Sequence, residues 1–220
     1  MRWMKASVPP RAVIVDVGGV IEETPSTGWV QRWETRLHLE PGGLAEVVSR
    51  IWQDGRTGAV GLSGIERRTA AALELDPVSS HELWNDVWAE YVGTLREDLL
   101  DYFASLRPRY KTAILSNSFV GARERERALY GFEDAFDVVV YSHEEGLEKP
   151  TAAFYRLACQ RLGVSPPEAI FVDDLPENIE GAHRVGMKTV LFESVEQTIE
   201  DVNRLLSRMP RVRPGGARRR

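Results

Sequence analysis

One acid and two glycines end the first apolar segment of the chain, and these residue types suit catalysis. Residues 12–15 read Ala-Val-Ile-Val, which predicts a strand buried on both faces, and Asp16, Gly18 and Gly19 follow it closely. Glycine lets the backbone turn sharply and approach a ligand without a Cβ in the way. A capping acid and an ordinary glycine turn would produce the same pattern, so this segment alone leaves both interpretations open.

Polar side chains also follow three later strand-like segments. They are Ser116 and Asn117 after residues 111–115, Lys149 beyond residues 137–141, and Asp173 and Asp174 after residues 169–172. Because parallel strands point their carboxyl ends to one edge of a sheet, we expect all these side chains to meet near Asp16. Helix capping or a solvated loop explains each of them singly, but four strands ending in complementary groups favour one catalytic site.

The residue types indicate phosphoryl transfer. Three carboxylates at one point repel one another, so Asp16, Asp173 and Asp174 require a cation, and hard oxygen ligands suit Mg²⁺. A carboxylate beside that metal can attack phosphorus and form an aspartyl-phosphate, which water then hydrolyses. Ser116 and Lys149 would supply a hydrogen bond and a positive charge to the phosphoryl oxygens.

The elements that must position these residues alternate regularly after about residue 95. The pattern predicts strands at 111–115, 137–141, 169–172 and 189–192, and helices at 97–106, 122–130, 152–162, 176–185 and 195–207. Strands separated by helices predict an α/β fold, a Rossmann-like parallel sheet with helices on both faces. Residues 22 to about 95 show helical spacing and no convincing strand, which predicts a helical insert.

The insert is rich in tryptophan. It holds Trp29, Trp33, Trp52, Trp84 and Trp88, and two pairs of these are four residues apart on a helix. Packing in the core of a helical bundle is the favoured interpretation, because large aromatic residues at helical spacing usually do this. Lining a substrate site is the alternative.

Composition and charge limit the classes of function. The chain has 220 residues, 43% of them hydrophobic, enough for a full core and a smaller second domain. Its net charge of −5 becomes −10 without the five arginines of residues 211–220, and an acidic body argues against nucleic-acid binding. We expect a disordered basic tail at 211–220. The single cysteine, Cys159, excludes an intramolecular disulfide and has the spacing of a core residue.

Targeting signals are missing from the sequence given. Residues 1–11 have no apolar core of a signal peptide, and no uninterrupted apolar run is long enough to cross a bilayer. We therefore expect a cytoplasmic protein without membrane contact. The sequence does not define an oligomeric state.

With these four segments in order across residues 12–192, the chain resembles the haloacid dehalogenase (HAD) superfamily. The resemblance implies that Asp16 is the nucleophile and a metal ligand, and that Ser116 and Asn117 bind the phosphoryl group with the loop of Gly18 and Gly19. It further implies that Lys149 balances the charge, and that Asp173 and Asp174 hold Mg²⁺ together with the Gly18 carbonyl. A core of residues 1–23 and 96–210 and a cap of residues 24–95 are the implied domains.

One residue departs from the family pattern. Phosphatases of this family usually carry a second Asp two positions after the nucleophile, as the acid/base, and Gly18 occupies that position here. Loss of such a group costs roughly 10²- to 10⁴-fold in rate. The pattern Asp-x-Gly-Gly-Val-Ile is nevertheless similar to the subgroup that includes α-glucose-1-phosphate phosphatase. Glu22 and Glu23 are the predicted stand-ins, with simple solvation as the alternative.

Three functions remain open at this point. The first is Mg²⁺-dependent hydrolysis of a small phosphate ester, with aryl, acyl and anomeric phosphates preferred because Gly18 cannot protonate the leaving group. The second is a non-catalytic binding or regulatory module, which Gly18 favours. The third is a 2-haloacid dehalogenase, a class that lacks the paired acids found at Asp173 and Asp174.

Overall fold

A five-stranded parallel sheet organises the computed structural model, which describes residues 8–207. The strands are β1 (Ala12–Val15), β2 (Glu22–Glu23), β3 (Thr94–Leu95), β4 (Lys111–Ser116), β5 (Val138–Tyr141), β6 (Ala169–Asp173) and β7 (Lys188–Leu191). The order in the main sheet is β5-β4-β1-β6-β7, with every neighbouring pair parallel. The predicted α/β class and parallel sheet are confirmed.

Helices follow almost every strand. They are α1 (Trp29–Arg36), α2 (Gly43–Arg56), α3 (Leu62–Ala72), α4 (Pro77–Tyr91), α5 (Glu97–Ser105), α6 (Ala122–Tyr130), α7 (Phe132–Ala135), α8 (Ser142–Glu145), α9 (Ala152–Leu162), α10 (Pro176–Arg184) and α11 (Val195–Leu206). The one-turn helices α7 and α8 and a 3₁₀ turn at Pro166–Glu168 were not predicted, because segments this short show no hydrophobic period.

Strand β1 is buried on both faces because its alternate side chains enter two different cores. Val13 and Val15 pack in a cluster that contains Leu99 of α5 and Val202 of α11. Ala12 and Ile14 face the opposite cluster, which α9 and α10 cover and which includes Cys159, as predicted. The period of two along a strand sends neighbouring residues to opposite faces, so a continuous apolar run fits only a strand covered on both sides.

The register of the central strands brings the polar strand ends together. Val15 pairs with Ile114 of β4 on one side and with Val172 of β6 on the other. Asp16 and Asp173 therefore lie at the same edge, directly beyond this row of residues, and Ser116 ends β4 beside them.

A two-residue antiparallel pair joins the ends of the insert. Glu22 of β2 pairs with Leu95 of β3, and Glu23 pairs with Thr94. The prediction of no strand between residues 22 and 95 is wrong at these two ends, because a strand of two residues has no alternation to detect. The pair holds the entry and exit of the insert side by side.

Helices α1–α4 form the insert and pack around a hydrophobic cluster that also includes Phe119 and Val120 of the loop after β4. Its buried residues include Trp29, Trp33, Trp84 and Trp88, each at most 7% exposed. Trp52 packs against this cluster but is only partly buried. The expectation that these indoles form the core of a helical bundle is confirmed for four of the five.

Two sequence predictions remain outside what the fold tests. The basic segment 211–220 lies beyond the described residues. Among residues 8–207, no helix has the length and apolar character that a membrane crossing requires. A cytoplasmic location stays a prediction.

Candidate active site

Lys149 lies at the centre of the polar cluster at the carboxyl edge of the sheet. Its Nζ is 2.7 Å from Oδ1 of Asp16 and 2.7 Å from Oδ2 of Asp173. All three residues are buried, and Asp173 has no exposed surface at all. Buried charges require partners, so this ion triad fixes the geometry of all three side chains.

Asn117 positions Lys149 through both of its side-chain polar groups. Its Nδ2 donates to the Lys149 carbonyl at 3.0 Å, and its Oδ1 accepts from the Lys149 backbone N–H at 2.8 Å. The Asn117 side chain is therefore engaged with the loop that carries Lys149. A role of Asn117 in phosphate binding stays a prediction.

The two adjacent acids have different surroundings. Oδ1 of Asp173 accepts from the Leu175 backbone N–H at 2.9 Å and from Nδ2 of Asn178 at 3.0 Å, and its Oδ2 contacts Lys149. Asp174 is only half-buried and lines, with Asp16, a cavity of about 590 Å³ that we call the charged cavity. Asp174 therefore faces the charged cavity, whereas the carboxylate of Asp173 is hydrogen-bonded to other groups of the protein.

Gly18 and Gly19, which follow Asp16, differ in the space around them. Gly19 has a φ of +78°, and a Cβ there would overlap the carboxylate of Asp174, so this position requires glycine. A Cβ on Gly18 would meet only Oγ1 of Thr24, at 4.0 Å. The loop therefore has room for a side chain at position 18, although the sequence provides none.

The charged cavity carries excess negative charge. One carboxylate oxygen from each of Asp16, Asp173 and Asp174 lies within 4.8 Å of the others. Burial, and then the charge of Asp173, raise the pKa of Asp16 to about 7 despite the opposing effect of Lys149. Burial and Asp173 also raise the pKa of Asp174. A divalent cation would relieve this repulsion, and the donor set, all hard oxygens, fits Mg²⁺.

Ser116 is buried at the end of β4 and lines a different cavity. This small acidic cavity, of about 140 Å³, lies beside Gly18 and is also lined by Glu22 and Glu126. Of its two acids, Glu22 was a predicted stand-in for the acid/base, whereas no motif predicts Glu126. Burial raises the pKa of Glu126 to about 7, and burial with nearby acids raises the pKa of Glu22 to about 9.

Glu22 and Glu23, the predicted stand-ins for an acid/base, point to different places. Glu22 is 1% exposed, and its Oε1 has no hydrogen-bond partner among the described residues. Glu23 lines the charged cavity with Asp16, and its largely exposed carboxylate is 3.8 Å from Arg96. Of the two, Glu23 is therefore the one that shares a cavity with Asp16.

Sequence reasoning missed Arg96 and Asn178. Arg96 follows β3 and donates from Nη1 to the carbonyls of Gly19 at 2.9 Å and Val20 at 2.7 Å, which ties the nucleophile loop to the end of the insert. Asn178, in the first turns of α10, holds the carboxylate of Asp173. Asn178 lies five positions after Asp173, near the start of α10. A polar residue at a helix start that closely follows a predicted site acid is the signal that would have identified it.

The sequence is related to hydrolases of known families. A sequence model described as haloacid dehalogenase-like hydrolase matches residues 10–186. Acyl-CoA dehydrogenase family member 10 of Mus musculus is 30% identical over 89% of this chain and 19% of its own length. Glyceraldehyde 3-phosphate phosphatase of Methanopyrus kandleri is 48% identical over 27% of this chain and 26% of its own length. The chain thus spans less than a third of either relative.

The fold is shared with solved structures of the same family. A HAD family enzyme of Bacteroides thetaiotaomicron, in complex with magnesium and inorganic phosphate, superposes with a TM-score of 0.69 at 18% identity, covering 84% of this chain and 94% of that one. Because the family match covers residues 10–186, which include four of the five strands of the main sheet and the cluster of Asp16, Lys149, Asp173 and Asp174, the chain belongs to the haloacid dehalogenase-like hydrolases.

Proposed function

We propose that the protein is a Mg²⁺-dependent phosphomonoester hydrolase that acts on a small phosphorylated metabolite. The observation that carries this proposal is the cluster of Asp16, Asp173 and Asp174 within 4.8 Å, with Lys149 bonded to two of the three. A buried carboxylate that faces a cavity beside a site for a cation is the arrangement that phosphoryl transfer to an aspartate requires. Phosphate esters are also substrates named for relatives of the chain.

Asp16 performs the first step. Its carboxylate oxygen forms a bond to phosphorus, the bond from phosphorus to the ester oxygen breaks, and the ester oxygen takes the electron pair of that bond and then a proton from water, which yields the free alcohol. Water then attacks phosphorus, the bond from phosphorus to the Asp16 oxygen breaks, and the products are inorganic phosphate and the restored carboxylate. Lys149 holds Asp16 in line, and Ser116 with the backbone of Asn117 donates to the phosphoryl oxygens.

Asp16, Asp174 and the carbonyl of Gly18 are the groups that would hold the metal directly. When bound, Mg²⁺ supplies charge neutralisation between the carboxylates and the phosphoryl oxygens. We assign Asp173 a supporting role, because its two oxygens already accept from Lys149, Asn178 and the backbone. This refines the sequence-based expectation that both adjacent acids are ligands.

Gly18 determines which esters are hydrolysed quickly. No side chain at this position protonates the leaving oxygen, so the rate depends on the stability of the leaving group itself. Glu23 is the residue that we assign as a partial substitute, because it lines the charged cavity with Asp16. We also propose that the insert, residues 24–95, acts as a cap over a core of residues 1–23 and 96–210.

The test is hydrolysis of 4-nitrophenyl phosphate by the purified protein with Mg²⁺ and with EDTA. Metal-dependent release of phosphate is expected, whereas equal rates in both conditions would contradict the proposal. The competing candidate, a binding module without catalysis, is favoured by Gly18 and predicts no phosphate release in either condition. Release of halide from a 2-haloacid would instead identify a dehalogenase.

A further inference from the structure

A second cavity, of about 380 Å³, adjoins the charged cavity and has a very different lining. It lies between α2 of the insert and the loop of Asn117, Ser118 and Phe119. Trp29 and Trp52 form part of its wall. We call it the aromatic cavity. Its volume falls in the range of cavities that hold small organic molecules.

The aromatic cavity and the charged cavity meet at Asn117. This residue lines both, and it follows directly after Ser116, the predicted phosphate-binding residue. A substrate whose phosphoryl group lies beside Asp16 therefore has the aromatic cavity next to its other end. Nothing in the charged cavity itself offers comparable apolar surface, since its lining is dominated by acids, glycines and cations.

The aromatic wall is held in place before any ligand binds. The Trp52 ring stacks on Trp29 with centroids 6.0 Å apart and lies edge-on to Phe119 at 6.2 Å, while its Nε1 donates to Oγ1 of Thr69. Phe119 packs closely on Gly55 of α2, where any Cβ would lie 2.5 Å from its ring. A fixed wall requires little ordering when a ligand binds, which favours affinity.

The polar groups of this lining are few and mostly engaged. Arg56, the charged residue among those that line the cavity, donates from Nη2 to Gln53 at 2.8 Å. Oγ of Ser118 is hydrogen-bonded to Nδ1 of His143 at 2.7 Å. A sugar would leave its hydroxyl groups unpaired against such a wall, whereas an apolar ring would lose nothing by leaving water.

We propose that the aromatic cavity binds the leaving group of the substrate, and that this group is an apolar, aromatic alcohol. The inference rests on the proposed phosphatase activity and narrows it. Aryl phosphates are preferred over anomeric sugar phosphates of similar reactivity, because the cavity contributes apolar contact in addition to the leaving-group effect of Gly18.

The test separates apolar size from leaving-group reactivity. Phenyl phosphate and 2-naphthyl phosphate release alcohols of nearly equal pKa but different apolar area. The ratio of their kcat/KM values therefore measures how much apolar contact in the aromatic cavity contributes. We expect 2-naphthyl phosphate to be favoured by about tenfold. Equal values for the two esters would overturn the proposal.

Matched variants on α2 localise the effect. Ser49 lines the aromatic cavity, so Ser49→Trp should fill it, while Val47→Trp adds the same side chain at an exposed position of the same helix that does not line it. The naphthyl preference should disappear in Ser49→Trp and persist in Val47→Trp. Retention of the preference in Ser49→Trp, with an unchanged thermal unfolding curve, would place the apolar contact elsewhere and overturn the proposal.

Calorimetry with 2-naphthol, which has no phosphoryl group, tests binding in the aromatic cavity separately from the proposed phosphatase activity. Binding to the unmodified protein and to Val47→Trp, with at least about tenfold weaker binding to Ser49→Trp, supports the aromatic cavity even where neither ester is hydrolysed. In that case only the phosphatase assignment fails. Hydrolysis of phenyl phosphate without any binding of 2-naphthol would instead preserve the phosphatase and overturn the aromatic cavity.

Discussion

The two neighbouring cavities divide the work between the sheet and the insert. The charged cavity is built at the carboxyl edge of the sheet, where an ion pair with Lys149 holds Asp16 and the register of β1 and β6 places Asp16 beside Asp173 and Asp174. The aromatic cavity is built by packing of α2 against one loop of the core. In the function that we propose, the chemistry depends on residues placed by the backbone topology, while the choice of substrate depends on the shapes of side chains that the topology does not determine.

Asp16→Asn should have the largest effect on this division. The variant removes the attacking charge and a metal ligand with almost no change in shape, so hydrolysis of any ester should fall by at least about 10⁴-fold. Binding of 2-naphthol should be unaffected, because the aromatic cavity does not include Asp16. Assays of both properties on one preparation check this. Substantial residual turnover would mean that another group attacks phosphorus.

Gly18→Asp should have the next largest effect, and only on esters with poor leaving groups. The loop has room for the side chain, since a Cβ there meets only Thr24 at 4.0 Å. A restored acid/base should raise kcat/KM for alkyl phosphates by roughly 10²- to 10⁴-fold and change kcat/KM for 4-nitrophenyl phosphate little, because this ratio reports the first step, in which the leaving group departs.

The control for this experiment is Gly18→Asn, which has the same size but transfers no proton. A rate gain in both variants would show that the effect is steric. If the unmodified protein already shows similar kcat/KM values for all esters, another residue supplies the proton, and Glu23→Gln should then introduce the missing dependence of kcat/KM on leaving-group pKa.

The adjacent acids should respond differently to the same substitution. Asp174→Asn should weaken Mg²⁺ binding by at least about tenfold, measured by calorimetry, because Asp174 faces the charged cavity. Asp173→Asn should instead lower the free energy of unfolding by about 3 kcal/mol, because it breaks a fully buried ion pair with Lys149. Identical effects of the two variants on metal affinity would contradict this division of roles.

Glu22 should affect stability, to an extent that depends on pH. Its pKa of about 9 in the folded protein, raised by burial and by nearby acids, means that folding retains a proton which the unfolded chain loses near pH 4.5. The free energy of unfolding should therefore fall as pH rises between these values, by up to about 1.4 kcal/mol per unit.

Glu22→Gln removes this proton and should be more stable than the unmodified protein at pH 8, with the difference shrinking towards pH 4.5. Denaturant titrations at several pH values measure it. Glu23→Gln, at an exposed position, is the matched control. Because it keeps Glu22, its stability should follow that of the unmodified protein at every pH. A parallel pH dependence in all three proteins would assign the proton to another group.

The charged cavity was predictable from sequence because the end of each buried strand is visible there as an apolar run followed by polar residues. A buried run followed by Asp16, and another followed by Asp173, locate two points on one sheet edge without any knowledge of packing. What the sequence did not reveal is orientation: Asp173 and Asp174 are neighbours in the chain, yet one bonds Lys149 and the other faces the cavity.

The aromatic cavity was not predictable in the same way. Helical spacing correctly placed Trp29 and Trp84 in a bundle core, but whether a ring also borders a cavity depends on contacts between segments far apart in the chain. Gly55 illustrates this. The position requires glycine only because the ring of Phe119, from the loop after β4, packs against it. The same holds for Arg96, whose hydrogen bonds reach back to Gly19 and Val20.

Rapid-quench analysis with 4-nitrophenyl phosphate tests the central claim, attack by Asp16, most directly. With a good leaving group the first step is fast, while the absence of an acid/base at Gly18 leaves the attacking water unactivated in the second step. The phosphorylated protein should therefore accumulate: about one equivalent of 4-nitrophenolate per chain should appear in a burst, with the phosphoryl group on the peptide that contains Asp16. Steady hydrolysis with neither a burst nor a label at Asp16 would contradict the account.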